Sequence, residues 1–365
     1  MEMVPRRVGN AGERATKLPL RALSWTRWEF WPWWATYGPI VPYGLWLALR
    51  HGGLTVPLIA NTHPDLSMLA GESKSRILAL VPERWRVPFE VVPSGDAAGR
   101  NAAARQAVAR RGWNWPIVAK PDVGERGAGF RVVKDAEGLA RALAAHAGAT
   151  ILQPFHPGPH EIGLLYARHP DRERGEIISA TTKEFADVVG DGESTLRELI
   201  LRHPRRRLQA RVFLARLGAD ATRVPAKGER VPLVIAGNHC QGTMFRDGMH
   251  LVTDAVRARI DEIARQVPGL HFGRFDIRYR DEAAFARGDD ISILELNGIA
   301  SEPTHIYDPD VSLRRAYRDI GKTLRVIFEI GAAQRLAGAA QPSVMGAVRH
   351  IRASLQGGAA SPLAD

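Results

Sequence analysis

Lys120 closes an apolar run, Pro116-Ile117-Val118-Ala119, and leads through Pro121-Asp122 into glycines at 124, 127 and 129. A lysine at a strand end is usually a solvated surface charge. The glycines that follow change that reading. They let the backbone come close to an anion, and successive N–H groups can cradle phosphate oxygens. Far downstream stand Arg274-Phe275-Asp276-Ile277-Arg278 and Ile293-Leu294-Glu295-Leu296-Asn297-Gly298. Two carboxylates and an amide are hard oxygen donors, which suit the magnesium that travels with phosphates. The residue types point to chemistry on Mg-ATP. The glycine loop is neither a P-loop nor a dinucleotide fingerprint, since neither spacing occurs in the chain.

These residues need strands to hold them. Alternation along a strand puts Arg274, Asp276 and Arg278 on one face. It puts Glu295 and Asn297 on one face of the next strand and turns Leu294 and Leu296 away into apolar packing. If the two strands pair, Asp276, Glu295 and Asn297 converge on one or two cations. The isoleucines and leucines around them imply burial, and buried carboxylates need partners or metal.

The surrounding pattern alternates short strands with helices. Strands are expected at 54–59, 116–120, 130–133, 150–153, 161–167, 177–183, 231–236, 273–279 and 291–296. Helices are expected at 96–112, at 136–146 behind an Asp135 cap, at 195–202 behind Ser194, at 253–267 and at 311–330. Gly71-Glu72-Ser73-Lys74-Ser75 leads into a further apolar run, 77–81. No internal repeat is present.

Composition narrows the class. The chain has 365 residues, a net charge of +11 and 45% hydrophobic residues. That length predicts two or three packed units. The arginine-rich surface attracts anions in general, but no nucleic-acid module occurs and none is expected as a partner. A single cysteine, Cys240, excludes internal disulfides and cysteine zinc clusters and fits a reducing compartment. From Phe30 to Leu49 there is no charge, and six tryptophans crowd the stretch from Trp25 to Trp46. Its prolines and glycines would break a membrane helix. Tryptophans beside arginines suit the lipid–water interface, so the Trp25–Trp46 segment is read as a peripheral membrane contact, a buried helix or a dimer patch. The expected location is cytoplasmic, in association with the inner face of a membrane.

The order K-P-D-x-G-x-R-G-x-G, then Gly158-Pro159-His160-Glu161, then R-x-D and L-E-L-N-G resembles the ATP-grasp superfamily. Within it the chain is similar to D-alanine–D-alanine ligases and to the ligase half of cyanophycin synthetase, over about residues 110–310. The resemblance implies an α+β ATP-grasp fold, two α+β lobes sandwiching ATP, preceded here by an atypical N-terminal unit. It implies ATP with Mg2+ or Mn2+ as cofactors. It sets Lys120 on the ATP phosphates, with Lys74 as an additional ATP lysine. Gly124, Arg126, Gly127 and Gly129 belong to the loop that closes over the phosphates. Ile151, Leu152 and Gln153 form the hinge strand whose backbone meets adenine, and Glu161 contacts ribose. Asp276, Glu295 and Asn297 become the metal ligands, and Arg274 stabilises the reacting phosphoryl group. Residues 297–305 replace the usual substrate loop, which makes Ser301, Glu302 and His305 the candidates for substrate contact.

The implied activity is ATP-dependent carboxylate–amine ligation through an acyl phosphate, with small-molecule carboxylate and amine substrates. The alternatives are a small-molecule kinase of the same fold, or a membrane- or partner-binding protein with a vestigial nucleotide site. The expected units are a disordered basic tail (1–22), an N-terminal unit (23–110), a small lobe (111–175), a large lobe with the magnesium site (176–330) and a loose tail (331–365).

Overall fold

The computed structural model describes residues 25–357, except 68, 70, 125, 126, 235 and 236, and describes only the backbone over 353–357. The basic tail expected at 1–22 lies outside the described residues, as does Arg126.

The chain is α+β, and its described residues form two larger antiparallel sheets and a two-stranded one. Of the larger two, the smaller has strands β1 (Glu90–Val92), β2 (Ile117–Pro121), β3 (Arg131–Val133) and β4 (Thr150–Pro154), in the order β1-β4-β2-β3. Helices Ala97–Arg111 and Ala136–Ala144 contribute Ala104, Val108, Leu139 and Leu143 to a core with Ile117, Ala119, Val133 and Leu152. Asp96 and Asp135 start these helices by accepting the backbone N–H three residues on.

The larger sheet runs β11-β10-β5-β6-β9, all antiparallel. Its strands are β5 (His160–Ala167), β6 (Glu176–Glu184), β9 (Met244–Asp247), β10 (Phe272–Tyr279) and β11 (Ser292–Asn297). Between β6 and β9, a hairpin of β7 (Asp187–Val189) and β8 (Arg230–Pro232) packs with helices Leu196–Arg202 and Ala210–Leu217 around a core of its own. Helix Asp254–Gln266 covers one part of the large sheet through Val256, Ile260, Ile263 and Ala264.

The N-terminal unit is not separate. Strand β1 and helix Ala97–Arg111 belong to the small lobe, which therefore begins near residue 90 and not at 111. Helix Lys74–Leu80 places Ile77 and Leu78 in the core of the large sheet. Helix Val41–His51 packs Leu47 and Ala48 with Phe272 and with Ile327 and Phe328 of helix Leu313–Leu336. Segments this short cannot bury their own apolar side chains, so they join the lobes.

Three local expectations are corrected. Residues 54–59 hold the 3₁₀ turn Val56–Ile59 instead of a strand, because Pro57 has no N–H for a ladder. The cap of helix Leu196–Arg202 is Thr195, in a reciprocal pair with Glu198, while Ser194 donates to Asp191. The tail expected to be loose from 331 is helical to Leu336 and again over Val344–Gly357.

Candidate active site

Strands β10 and β11 pair so that Asp276 lies opposite Glu295 and Arg274 opposite Asn297. A bulge follows. Ile277 pairs with Ile293, leaving Leu294 unopposed. The bulge reverses the inside–outside parity of β11. Ile293 and Leu296 reach the core, while Leu294 stays half-buried. The expectation that Leu294 turns inward with Leu296 is thus corrected.

The neighbouring strands bring more charge. Glu161 of β5 stands opposite Arg278 and accepts from its Nε at 3.0 Å. Lys183 of β6 donates to Glu161 Oε1 at 2.7 Å and lies 3.4 Å from Asp276 Oδ2. Arg274 Nε donates to Asp276 Oδ1 at 3.0 Å. Burial penalises the charges of Glu161, Lys183, Arg274 and Asp276, but opposite neighbours outweigh it. Lys183 and Arg278 hold the Glu161 carboxyl below its ordinary value, and Arg274 and Lys183 do the same for Asp276. Asp276 and Glu161 in turn hold Lys183 above the ordinary lysine value.

The small lobe meets this cluster directly. Lys120 Nζ reaches the carbonyl oxygen of Leu294 at 3.4 Å. Among the described residues it forms no ion pair, and burial pulls its pKa down, with Glu295 opposing that pull. Lys74 donates to the Gly124 carbonyl oxygen and lies 3.9 Å from Glu295. It is held there by Asp122, whose carboxylate accepts from Ser73 Oγ (2.7 Å) and from the Ser75 N–H (2.8 Å). Gly127 and Gly129 both have φ near +70°, where a side chain is strained. A side chain at Gly127 would also touch Asn238 and Gln241 of the large lobe. Gly127 therefore lies against the large lobe.

Five cationic side chains, Lys74, Lys120, Lys183, Arg274 and Arg278, meet three carboxylates, Glu161, Asp276 and Glu295. Such a cluster favours an anionic guest over a bare cation. Among the described residues no three His, Cys, Asp or Glu side chains stand together as a metal set. Magnesium needs only one or two carboxylates when phosphates supply its other oxygens. The Asp276–Glu295 pair fits that demand. Asn297 beside it keeps a buried amide nitrogen without a partner, and exchanging the amide's oxygen and nitrogen would turn an oxygen to that spot.

The other predicted residues fall differently. Ile151 and Leu152 lie inside the small sheet with β1 on one side and β2 on the other, so their backbone is already paired. Gln153 lies past the end of β1, and its buried Nε2 has no partner. Glu161 is engaged by Lys183 and Arg278 on both oxygens. His305 is locked between Ser179 Oγ (2.8 Å) and Asp319 (3.0 Å), and Ser301 donates to the carbonyl oxygen of Asn297. Glu302 accepts from the Tyr37 and Tyr307 hydroxyls, and its charge adds to those that hold Arg274 above its ordinary value. Burial and the Glu302 charge raise both tyrosines, so they remain donors.

Sequence reasoning passed over Lys183 and Tyr37, and it set Arg278 on the face of Asp276 without giving it a role. Lys183 shares a strand face with Ser179 and Thr181, a run of alternate polar residues that are all buried. That run was a usable signal. Tyr37 arrives from the Trp-rich segment and had none. The same segment buries Glu29 against Arg205 (2.9 Å) and His239 (3.2 Å).

No protein-family model and no curated protein matches the chain. Solved structures do. A bifunctional glutathione synthetase from Pasteurella multocida matches at 18% identity and a TM-score of 0.38, over 70% of this chain and 36% of that one. The D-alanine-D-alanine ligase from Coxiella burnetii matches at 11% identity and 0.40, over 80% and 62%. D-cycloserine synthetase matches at 16% and 0.38, over 69% and 70%. All three are ligases or synthetases by name. The chain spans about a third of the first and under two thirds of the second. These are distant likenesses of overall shape, and what the cleft can do is read from its own residues.

Proposed function

We propose that the chain is an ATP-dependent carboxylate–amine ligase of the ATP-grasp type, forming an amide through an acyl phosphate. Lys120 carries this reading. A buried ammonium is costly without an anion beside it, and among the described residues Lys120 forms no ion pair and donates to one carbonyl oxygen, that of Leu294. Triphosphate oxygens complete that environment.

In this reading Lys120, Lys74 and the loop of Gly124, Gly127 and Gly129 hold the phosphates. Gln153 meets the adenine edge at the open end of β4. Asp276, Glu295 and Asn297 hold magnesium, which offsets charge on the phosphate oxygens when bound. Arg274 faces the transferring phosphoryl group. Glu161 and Arg278 hold Lys183 in place. Glu302 gives the substrate end a negative wall, which suits a carboxylate that also carries a cationic amino group, as an amino acid does.

A substrate carboxylate oxygen attacks the γ-phosphorus, and ADP departs with the electrons of the broken P–O bond. The amine nitrogen then attacks the acyl carbon. Phosphate leaves with the electrons of the C–O bond, and the amine proton passes to solvent. The residues supply position and field. Magnesium, ATP and the presence of a single cysteine, Cys240, fit a cytoplasmic setting.

The test is ADP release across a panel of amino acids and amines. A ligase needs a carboxylate and an amine together for full release. Release with one hydroxylated compound alone identifies a kinase. No release with any pair, from protein that binds ATP, sinks both.

A further inference from the structure

The segment that brings Glu29 and Tyr37 to the site has an outer face. Trp33 and Trp34 are 73% and 58% exposed. Helix Val41–His51 buries Leu47 and Ala48 but leaves Val41, Leu45, Trp46 and Leu49 in solvent, Leu49 at 85%. At 3.6 residues per turn these four cover an arc of about 140°. Isolated exposed leucines are ordinary, but a contiguous apolar face marks an interaction surface.

Along the segment itself the charge has one sign. Between Glu29 and Asp65 the chain has no acidic residue. Trp46 stacks on Tyr43 at 5.6 Å, and Arg50 lies over the Trp46 ring at 5.7 Å. Tyr43 and Ile40 border a cleft of about 460 Å³ whose opposite wall is Arg318, Lys322 and Arg325. Asp319 and Glu329 pair with Arg318 and Arg325, while Lys322 makes no ion pair among the described residues.

We propose that this face docks on a lipid bilayer with anionic headgroups. The tryptophans lie at headgroup depth, and Arg50, Arg318, Lys322 and Arg325 meet lipid phosphates. The contact is peripheral. No helix among the described residues is long and apolar enough to cross a membrane. The inference stands apart from the ligase reading, because none of these side chains lines the cleft of Lys120.

Sedimentation of the full chain with vesicles tests it. Vesicles of phosphatidylcholine mixed with phosphatidylglycerol should carry the protein down, less so as salt rises. Binding should fall about tenfold or more in Trp33→Ser/Trp34→Ser/Trp46→Ser and in Lys322→Glu/Arg325→Glu, with thermal melting showing both variants folded. Absence of binding by the parent overturns the proposal, as does undiminished binding by the tryptophan variant. Equal binding to pure phosphatidylcholine overturns its anionic part. A parent that ignores vesicles but is a dimer by light scattering, made monomeric by the tryptophan substitutions, assigns the face to a second copy instead.

Discussion

Lys120 Nζ lies 3.4 Å from the carbonyl oxygen of Leu294, the one residue of β11 that the bulge leaves without a cross-strand partner. The two lobes touch through this contact. The bulge falls at Leu294, between Glu295 opposite Asp276 and Ile293 opposite Ile277. The irregularity thus sets the lysine beside the Asp276–Glu295 pair, and bulges recur next to active sites for this kind of re-aiming.

Lys120→Met should abolish ATP-dependent phosphate release, by roughly 10²–10³-fold or more, while leaving the fold intact. Burial already disfavours the ammonium, so a neutral chain of similar length should melt at or above the parent temperature. Phosphate release and thermal melting, run together, check both halves. Unchanged turnover defeats the assignment.

Lys183→Ala should do the opposite to stability. It strips Glu161 and Asp276 of a shared cation and should cost about 3–5 kcal/mol, read by urea unfolding. The pH dependence follows from the directions of the shifts. Glu161 and Asp276 are held below their ordinary values of 4.5 and 3.8. Their contribution is full above those values and is lost as pH falls through the lower folded-state ones. Lys183 is held above 10.5, so its contribution persists below that value and is lost only as pH rises through the higher folded-state one. The Ala variant should show a shallower loss on the acid side.

Much of this cluster was legible from residue types. Arg274, Asp276, Glu295 and Asn297 alternate cleanly over apolar neighbours, and period two was enough to put them on facing strands. Leu294 was misjudged because a bulge leaves no mark in composition. Ile151 and Leu152 lie in a strand paired on both sides, and nothing local reveals that β1 pairs on the outer side of β4. His305 looked available for substrate, yet its partners Ser179 and Asp319 come from 126 and 14 residues away. The unit boundary at 110 failed for the same reason. What buries helix Val41–His51 is Phe272 and Phe328, far along the chain.

Magnesium alone should barely raise the melting temperature, since Arg274, Lys183 and Lys74 already face its two carboxylates. Magnesium with ATP should stabilise the fold by about 2.7 kcal/mol at a hundredfold excess over the dissociation constant, and EDTA should reverse most of that. A large shift from magnesium without nucleotide would contradict the reading of an anion-seeking cluster.

Tyr37→Phe removes a donor to Glu302. Hydrogen bonds to charged groups contribute about 1.5–3 kcal/mol, so KM for the carboxylate substrate should rise about tenfold or more. KM for ATP should hold, because Tyr37 approaches the cluster from the Glu302 side. Equal changes in both constants would place Tyr37 in general packing.

The clasp of Asp122 on Ser73 and Ser75 means that the opening quarter of the chain is not a detachable module. A hybrid enzyme in which residues upstream of 90 were exchanged for another protein's leader would lose Lys74, Tyr37 and the helix beneath β11 in one stroke. Swapping that region to alter where the protein travels would also dismantle the pocket that does the work.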